Sequence, residues 1–222
     1  YQHAARSVAA QASNPNPARG AGVKAVHNRL IAALTAEAGI WLKKHDADSA
    51  IAIYNRAVLV EQNRAGTYAL RAKAYMAKGD NKQAMNDIVR ALKFSWRPGF
   101  LKTRGKLRLE AGDFAGTIHD ADAILKLDAD DAAAFALRGP ALVRQKQYAK
   151  ALPDLDRAIK ADDHNVAALS ARGEVYAARH DDTRALADFD RAIDAGARIR
   201  RSSAAAPPFT RPKARPARPS PI

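Results

Sequence analysis

Small side chains return along this chain at a nearly fixed interval. Ala50, Ala84, Thr117, Ala151 and Ala185 are separated by 34, 33, 34 and 34 residues. Three further series keep the same phase: Ala38, Ala72, Gly105, Gly139, Gly173; Ala57, Ala91, Ile124, Ala158, Ala192; and the larger Tyr54, Ile88, Ala121, Leu155, Phe189. Four series in register mean one supersecondary unit copied about five times. Such a unit cannot bury its apolar face alone, so neighbours must stack into an array.

Within each unit the apolar spacing is helical, and breakers such as Lys78-Gly79-Asp80 and Ala111-Gly112-Asp113 fall between the helices. The pattern predicts ten helices, at 32–44, 48–60, 66–78, 82–94, 99–111, 115–127, 133–145, 149–161, 167–179 and 183–195. The small residues mark where the two helices of a unit cross, and the larger ones fill the space beside the crossing. No run approaches the roughly 18 uncharged apolar residues that a membrane span needs, and the composition suits a soluble protein. There are no cysteines, so disulfides and thiolate metal sites are excluded.

This pattern resembles the tetratricopeptide repeat, a 34-residue helix–turn–helix unit with small residues at positions 8 and 20 and large ones at 11 and 24. The units are then 31–64, 65–97, 98–131, 132–165 and 166–199, with Trp41, Tyr75, Arg108, Leu142 and Tyr176 at position 11. The resemblance covers about three quarters of the chain. It implies an all-α fold, a right-handed superhelical solenoid of antiparallel helix pairs. Three features depart from the family pattern. The proline usual at position 32 is missing throughout, Thr117 replaces alanine at position 20, and Pro140 stands inside a first helix, where it should remove a backbone donor and kink it.

The net charge of +14 lies mostly at the ends. Residues 1–30 hold Arg6, Arg19, Lys24 and Arg29 and no acids; residues 198–222 hold seven basic side chains and no acids. Residues 1–30 read as an N-terminal linker, with Asn14-Pro15-Asn16-Pro17 and two glycines marking a loop over 9–22. Tyr1-Gln2-His3-Ala4-Ala5 is similar to Tyr54-Asn55-Arg56-Ala57-Val58, so the linker includes the remnant of an earlier repeat. Residues 200–222, rich in Pro, Arg, Ala and Ser, read as a disordered basic tail.

Several constellations invite a chemical reading. Arg71, Arg104, Arg138 and Arg172 recur in phase with Asp87, Asp120, Asp154 and Asp188. They read as a ladder of ion pairs that sets register, within or between units, each worth ~0–1 kcal/mol if exposed. His119 and Asp122 share a helix face but make only two ligands. Asp128-Ala129-Asp130-Asp131 lacks the glycine and glutamate of a calcium loop, and reads instead as a turn whose acids favour the next helix N-terminus. Trp41, Tyr75 and Tyr176 fall in core phase, whereas Trp96 falls in a turn with part of its surface exposed. No phosphate loop, nucleophile elbow or zinc-protease motif occurs, so neither an enzyme nor a cofactor or metal site is expected.

In the family the concave face is lined by first-helix positions 2, 5, 6, 9, 12 and 13. Carried over, the partner-binding groove comprises Lys43, Lys73, Met76, Lys102, Lys106, Leu109, Glu110, Val143, Arg144 and Glu174, with Leu70 continuing its apolar strip. The asparagines of the family's carboxylate clamp are missing, since the corresponding pairs are Thr35 with Gly39, Ala69 with Lys73, and Lys102 with Lys106. The expected function is a protein-interaction scaffold or adaptor holding a protein or peptide of acidic character. The alternatives are polyanion binding (nucleic acid or an acidic membrane) through the basic tails, or the recognition module of a larger enzyme. Phrases such as Ala151-Leu152-Pro153-Asp154-Leu155-Asp156-Arg157-Ala158-Ile159 resemble bacterial arrays, which implies a bacterial cytoplasm or periplasm.

Overall fold

The computed structural model describes the backbone of residues 17–204 and the side chains of 22–198. Among the described residues there are ten helices and no strand. They are Pro17–Lys43 (α1), Ala47–Val60 (α2), Ala65–Lys78 (α3), Asn81–Phe94 (α4), Pro98–Glu110 (α5), Phe114–Leu125 (α6), Ala132–Arg144 (α7), Tyr148–Ala161 (α8), Val166–Ala178 (α9) and Asp182–Ala204 (α10). Each expected helix is present. No helix is long and apolar enough to cross a membrane among these residues.

The chain divides into two compact units, one ending at Ala129 and the other beginning at Asp130. The first contains the hairpins α1–α2, α3–α4 and α5–α6, with α2 packed on α3, α4 on α5, and α1 also touching α3. The second contains the hairpins α7–α8 and α9–α10, with α9 packed against both α7 and α8. In both, the periodic small residues are buried where helices cross: Ala50, Ala84, Thr117 and Ala151 are fully enclosed and Ala185 nearly so. Thr117 fits because its hydroxyl donates to the carbonyl of Asp113 at 2.8 Å and reaches that of Gly105 at 3.3 Å, so the extra polar atom is not left unpaired.

The turn inside each hairpin has one geometry. His45, Gly79, Gly112, Lys146 and His180, one per repeat, all have positive φ, between 59° and 85°. This left-handed residue ends the first helix, and the next residue in four of the five repeats caps the second. Asp46, Asp80, Asp113 and Asp181 accept from the backbone N–H three residues on, whereas Gln147 makes no side-chain cap. Asp131 caps α7 in the same way, bonding Ala134 N at 2.9 Å, as the acidic turn before it led one to expect.

Two boundaries differ from the sequence reading. α1 begins at Pro17, inside the stretch read as linker, because a proline is well placed as first helical residue: its φ is preset and its missing N–H had no partner to lose. α10 runs to Ala204 rather than stopping near 195–199: Gly196 alone weakens Ala195–Ala204, whose alanines and arginines favour the helix, and no proline occurs before Pro207. α7 runs through Pro140, as the expected helix 133–145 did. The remnant expected at residues 1–5 and residues 205–222 of the tail lie outside the described residues.

Candidate functional site

The Arg–Asp ladder is the most regular polar feature, and it is internal. Arg71 Nε and Nη2 donate to the two oxygens of Asp87 at 2.7 Å each. Arg104 with Asp120, Arg138 with Asp154 and Arg172 with Asp188 repeat the same two-bond grip, at distances of 2.5–2.9 Å. All four carboxylates are buried, Asp120 completely. This corrects the expectation of weak exposed pairs: a carboxylate out of water depends on its partner, and stranding one costs about 3–5 kcal/mol. Two arginines also reach back to the preceding hairpin, Arg71 to Asn55 at 2.8 Å and Arg172 to Asp156 at 2.7 Å. The bond to Asp188 and burial act in opposite senses on Arg172, and the bond prevails, so its guanidinium is held above its ordinary pKa. These contacts consume the ladder's charges, so it positions helices and offers nothing to a ligand.

The aromatic series borders the core rather than filling it. Trp41 and Tyr75 are half-buried against the core of the first unit. Tyr176 has Arg184 over its ring, 4.6 Å from the centroid, and Arg172 at 5.9 Å. Trp96 stands in the turn between α4 and α5 and is 53% exposed.

The ten groove residues separate into two groups. In the second unit Val143 is buried, only 5% exposed; it is not available to a partner, contrary to expectation. Arg144 and Glu174 pair with each other at 3.1 Å, joining α7 to α9. In the first unit Lys43, Lys73 and Lys106 are exposed on α1, α3 and α5. None of these three forms an ion pair among the described residues. Lys102 and Leu109 are half-buried. Met76 is half-buried with its side chain packed against the core, and Leu70 likewise. Glu110 accepts from Asn81 at 2.9 Å, linking α5 to α4. The apolar strip is therefore partly spent on stacking the repeats. Of the groove charges that stay exposed on the first helices of the first unit, the three lysines Lys43, Lys73 and Lys106 outnumber the one carboxylate, Glu110, whose partner Asn81 is neutral.

Among the described residues one group has metal-ligand composition, Asp162, Asp163 and His164, all exposed, with donor atoms within 4.8 Å of one another. Asp163 bonds the His164 ring, which holds that carboxyl below its usual range. The other ring nitrogen faces Arg198 at 2.8 Å. His119 and Asp122 are not in this group.

No family model matches the chain, and no curated protein matches it. Solved structures do. YrrB, described as a TPR protein with an unusual peptide-binding site, aligns at TM-score 0.59 and 20% identity, over 73% of this chain and 84% of its own. MamA 41-end from Desulfovibrio magneticus RS-1 aligns at TM-score 0.63 and 17% identity, over 76% and 96%. PilF of Pseudomonas aeruginosa aligns at TM-score 0.64 and 13% identity, over 76% and 78%. At these identities the likeness is one of fold: the chain is an all-α, tetratricopeptide-like helical repeat protein.

Proposed function

We propose that this chain is a non-catalytic interaction scaffold, and that its partner segment docks on the first helices of the unit ending at Ala129. One observation carries this reading. Lys73 and Lys106 occupy the same position in successive repeats, are both exposed, and lack an ion-pair partner among the described residues. The ladder arginines, by contrast, are saturated. A repeated, unneutralised cation on one helix face suits a segment bearing acids at intervals. The half-buried Met76 and Leu109 give such a segment apolar edges to rest on, while the lysines steer and orient it. A neighbour of the same fold, YrrB, is described as having a peptide-binding site, which supports a peptide or an extended protein segment as the class of partner. The surface is narrower than the ten residues read from the sequence, since Val143 is buried and Arg144 and Glu174 neutralise each other.

The test is a display library of peptides mixing acids with apolar residues, selected on the wild-type chain. The selected peptides are then measured against Lys73→Glu/Lys106→Glu protein of unchanged helicity. The expected result is a loss of at least about tenfold in affinity, with slower association that is less sensitive to salt. Equal affinity for the two proteins would move the docking surface elsewhere.

A further inference from the structure

Two apolar features of this molecule have no partner within the described residues, and they complement each other. The first is the leading half of α1. That helix has 27 residues, against 13 or 14 for the first helices of the other repeats. Its side chains from Gly22 to Leu30 are all exposed, and burial begins only at Ile31. Val23, Val26 and Leu30, at i, i+3 and i+7, form one apolar stripe, and Val26 is 62% exposed. Helical segments draw most of their stability from packing an apolar face, whereas here the stripe stays largely exposed and the polar Asn28 on the same helix accepts a hydrogen bond from Arg64. No acid lies between Pro17 and Ala36, whereas Lys24 and Arg29 flank the stripe.

The second feature is a cleft of about 400 Å³ between α9 and α10, lined by Val166, Ser170, Phe189, Ala192, Ile193 and Gly196. The repeat shows what such a cleft is shaped to take. One period earlier, the residues equivalent to Phe189, Ala192 and Ile193 are Leu155, Ala158 and Ile159, all buried. They belong to α8, and α9 is the helix that packs there, touching both α7 and α8. Ile159 is 6% exposed, but Ile193 is 64% exposed. The open cleft is therefore a seat for one further helix. Asp190, one turn before Ile193, and Asp194 beside it are exposed and form no ion pair among the described residues. The seat is thus edged with acid, and the α1 stripe is edged with base.

We infer that the leading half of α1 from one copy seats in the α9–α10 cleft of a second copy, in the pose that α9 takes against α7 and α8. Val23, Val26 and Leu30 meet Phe189, Ala192 and Ile193, while Lys24 and Arg29 face Asp190 and Asp194. The two surfaces differ, so the contact is heterologous. It repeats from copy to copy and yields a ring or an open chain of molecules, not a closed two-fold dimer.

The experiment uses the full chain and two variants, Val26→Glu/Leu30→Glu on the stripe and Ile193→Glu in the cleft. Sedimentation velocity is run over a concentration series. All three substituted positions are exposed, so both variants should keep wild-type helicity and melting temperature, which is checked first. Wild-type mass should rise with concentration beyond that of a dimer. Each variant alone should stay monomeric. A mixture of the two should form a heterodimer and stop there, because it retains one intact stripe and one intact cleft. High salt should weaken wild-type assembly through the charged edges.

Any of three results overturns the inference. The wild type could stay monomeric at all concentrations, with the stripe variant melting lower, which assigns the stripe to an intramolecular contact. One variant could keep full self-association, which assigns the contact to like faces. The mixture could fail to form a heterodimer although both variants fold and the wild type assembles.

Discussion

Arg71 holds Asp87 by two parallel hydrogen bonds of 2.7 Å across the crossing of α3 and α4, and the carboxylate has almost no contact with solvent. Removing the arginine's partner and removing both partners should therefore have very different consequences. Asp87→Ala leaves a guanidinium short of its main anion and is expected to destabilise by about 3–5 kcal/mol. The double substitution Arg71→Met/Asp87→Leu leaves no charge behind and should lie within about 2 kcal/mol of wild type. Urea denaturation of the single and double variants gives the coupling directly. An additive pair would show that the ladder contributes no more than an exposed salt bridge.

Glycine at the helix crossings is a steric requirement, and its severity differs between repeats. A Cβ on Gly139 would lie 2.8 Å from Leu155 Cδ2, and Leu155 is fully enclosed. A Cβ on Gly173 would lie 2.6 Å from Phe189 Cε1, but that ring borders the open cleft and can move aside. Alanine is the better helix former by about 0.5–1 kcal/mol. Gly139→Ala should nonetheless destabilise by roughly 1–3 kcal/mol, while Gly173→Ala should be much milder. Thermal melts of the two variants, compared at one pH, check the order.

The left-handed turn residue gives a prediction of the opposite sign. Lys146 adopts a φ of 60° that Gly79 and Gly112 adopt without a side-chain penalty. The strain on a non-glycine residue is about 1–2 kcal/mol, and glycine's extra chain entropy offsets roughly 0.5–1 of it. Lys146→Gly should therefore raise stability by a few tenths to about 1 kcal/mol, while Gly79→Ala should lower it by about 1 kcal/mol. Both are read from denaturant midpoints at unchanged slope.

Tyr54 sets an alkaline limit. Burial pushes its phenol above the ordinary value of 10.0. The unfolded chain then loses the proton first, so this contribution is whole below about pH 10 and is lost as pH rises toward the folded-state pKa. Wild-type stability should fall more steeply than that of Tyr54→Phe above pH 10, and the two should run parallel below it. Midpoints measured at intervals from pH 8 upward test this.

Periodicity alone carried most of the fold. The recurrence of Ala50, Ala84, Thr117, Ala151 and Ala185 located every crossing within a hairpin, because a compact side chain allows two helix backbones so close, and that requirement repeats with the unit. The ladder itself was legible for the same reason, as Arg71 and Asp87 keep one phase with their equivalents, but a shared phase left pairing within or between units open, and the structure pairs them within each unit. The αL turn also had a sequence signal in Gly79 and Gly112, but His45, Lys146 and His180 hid it in the other repeats.

What the repeat pattern could not carry was the environment of each equivalent position. Val143 and Lys106 were read as lining one surface, yet Val143 is buried and Lys106 is exposed. Ile159 and Ile193 are the same residue at the same repeat position, one covered by α9 and the other open. A sequence period states which positions are equivalent; only tertiary packing decides which of them has a neighbour, because burial depends on the next element in space.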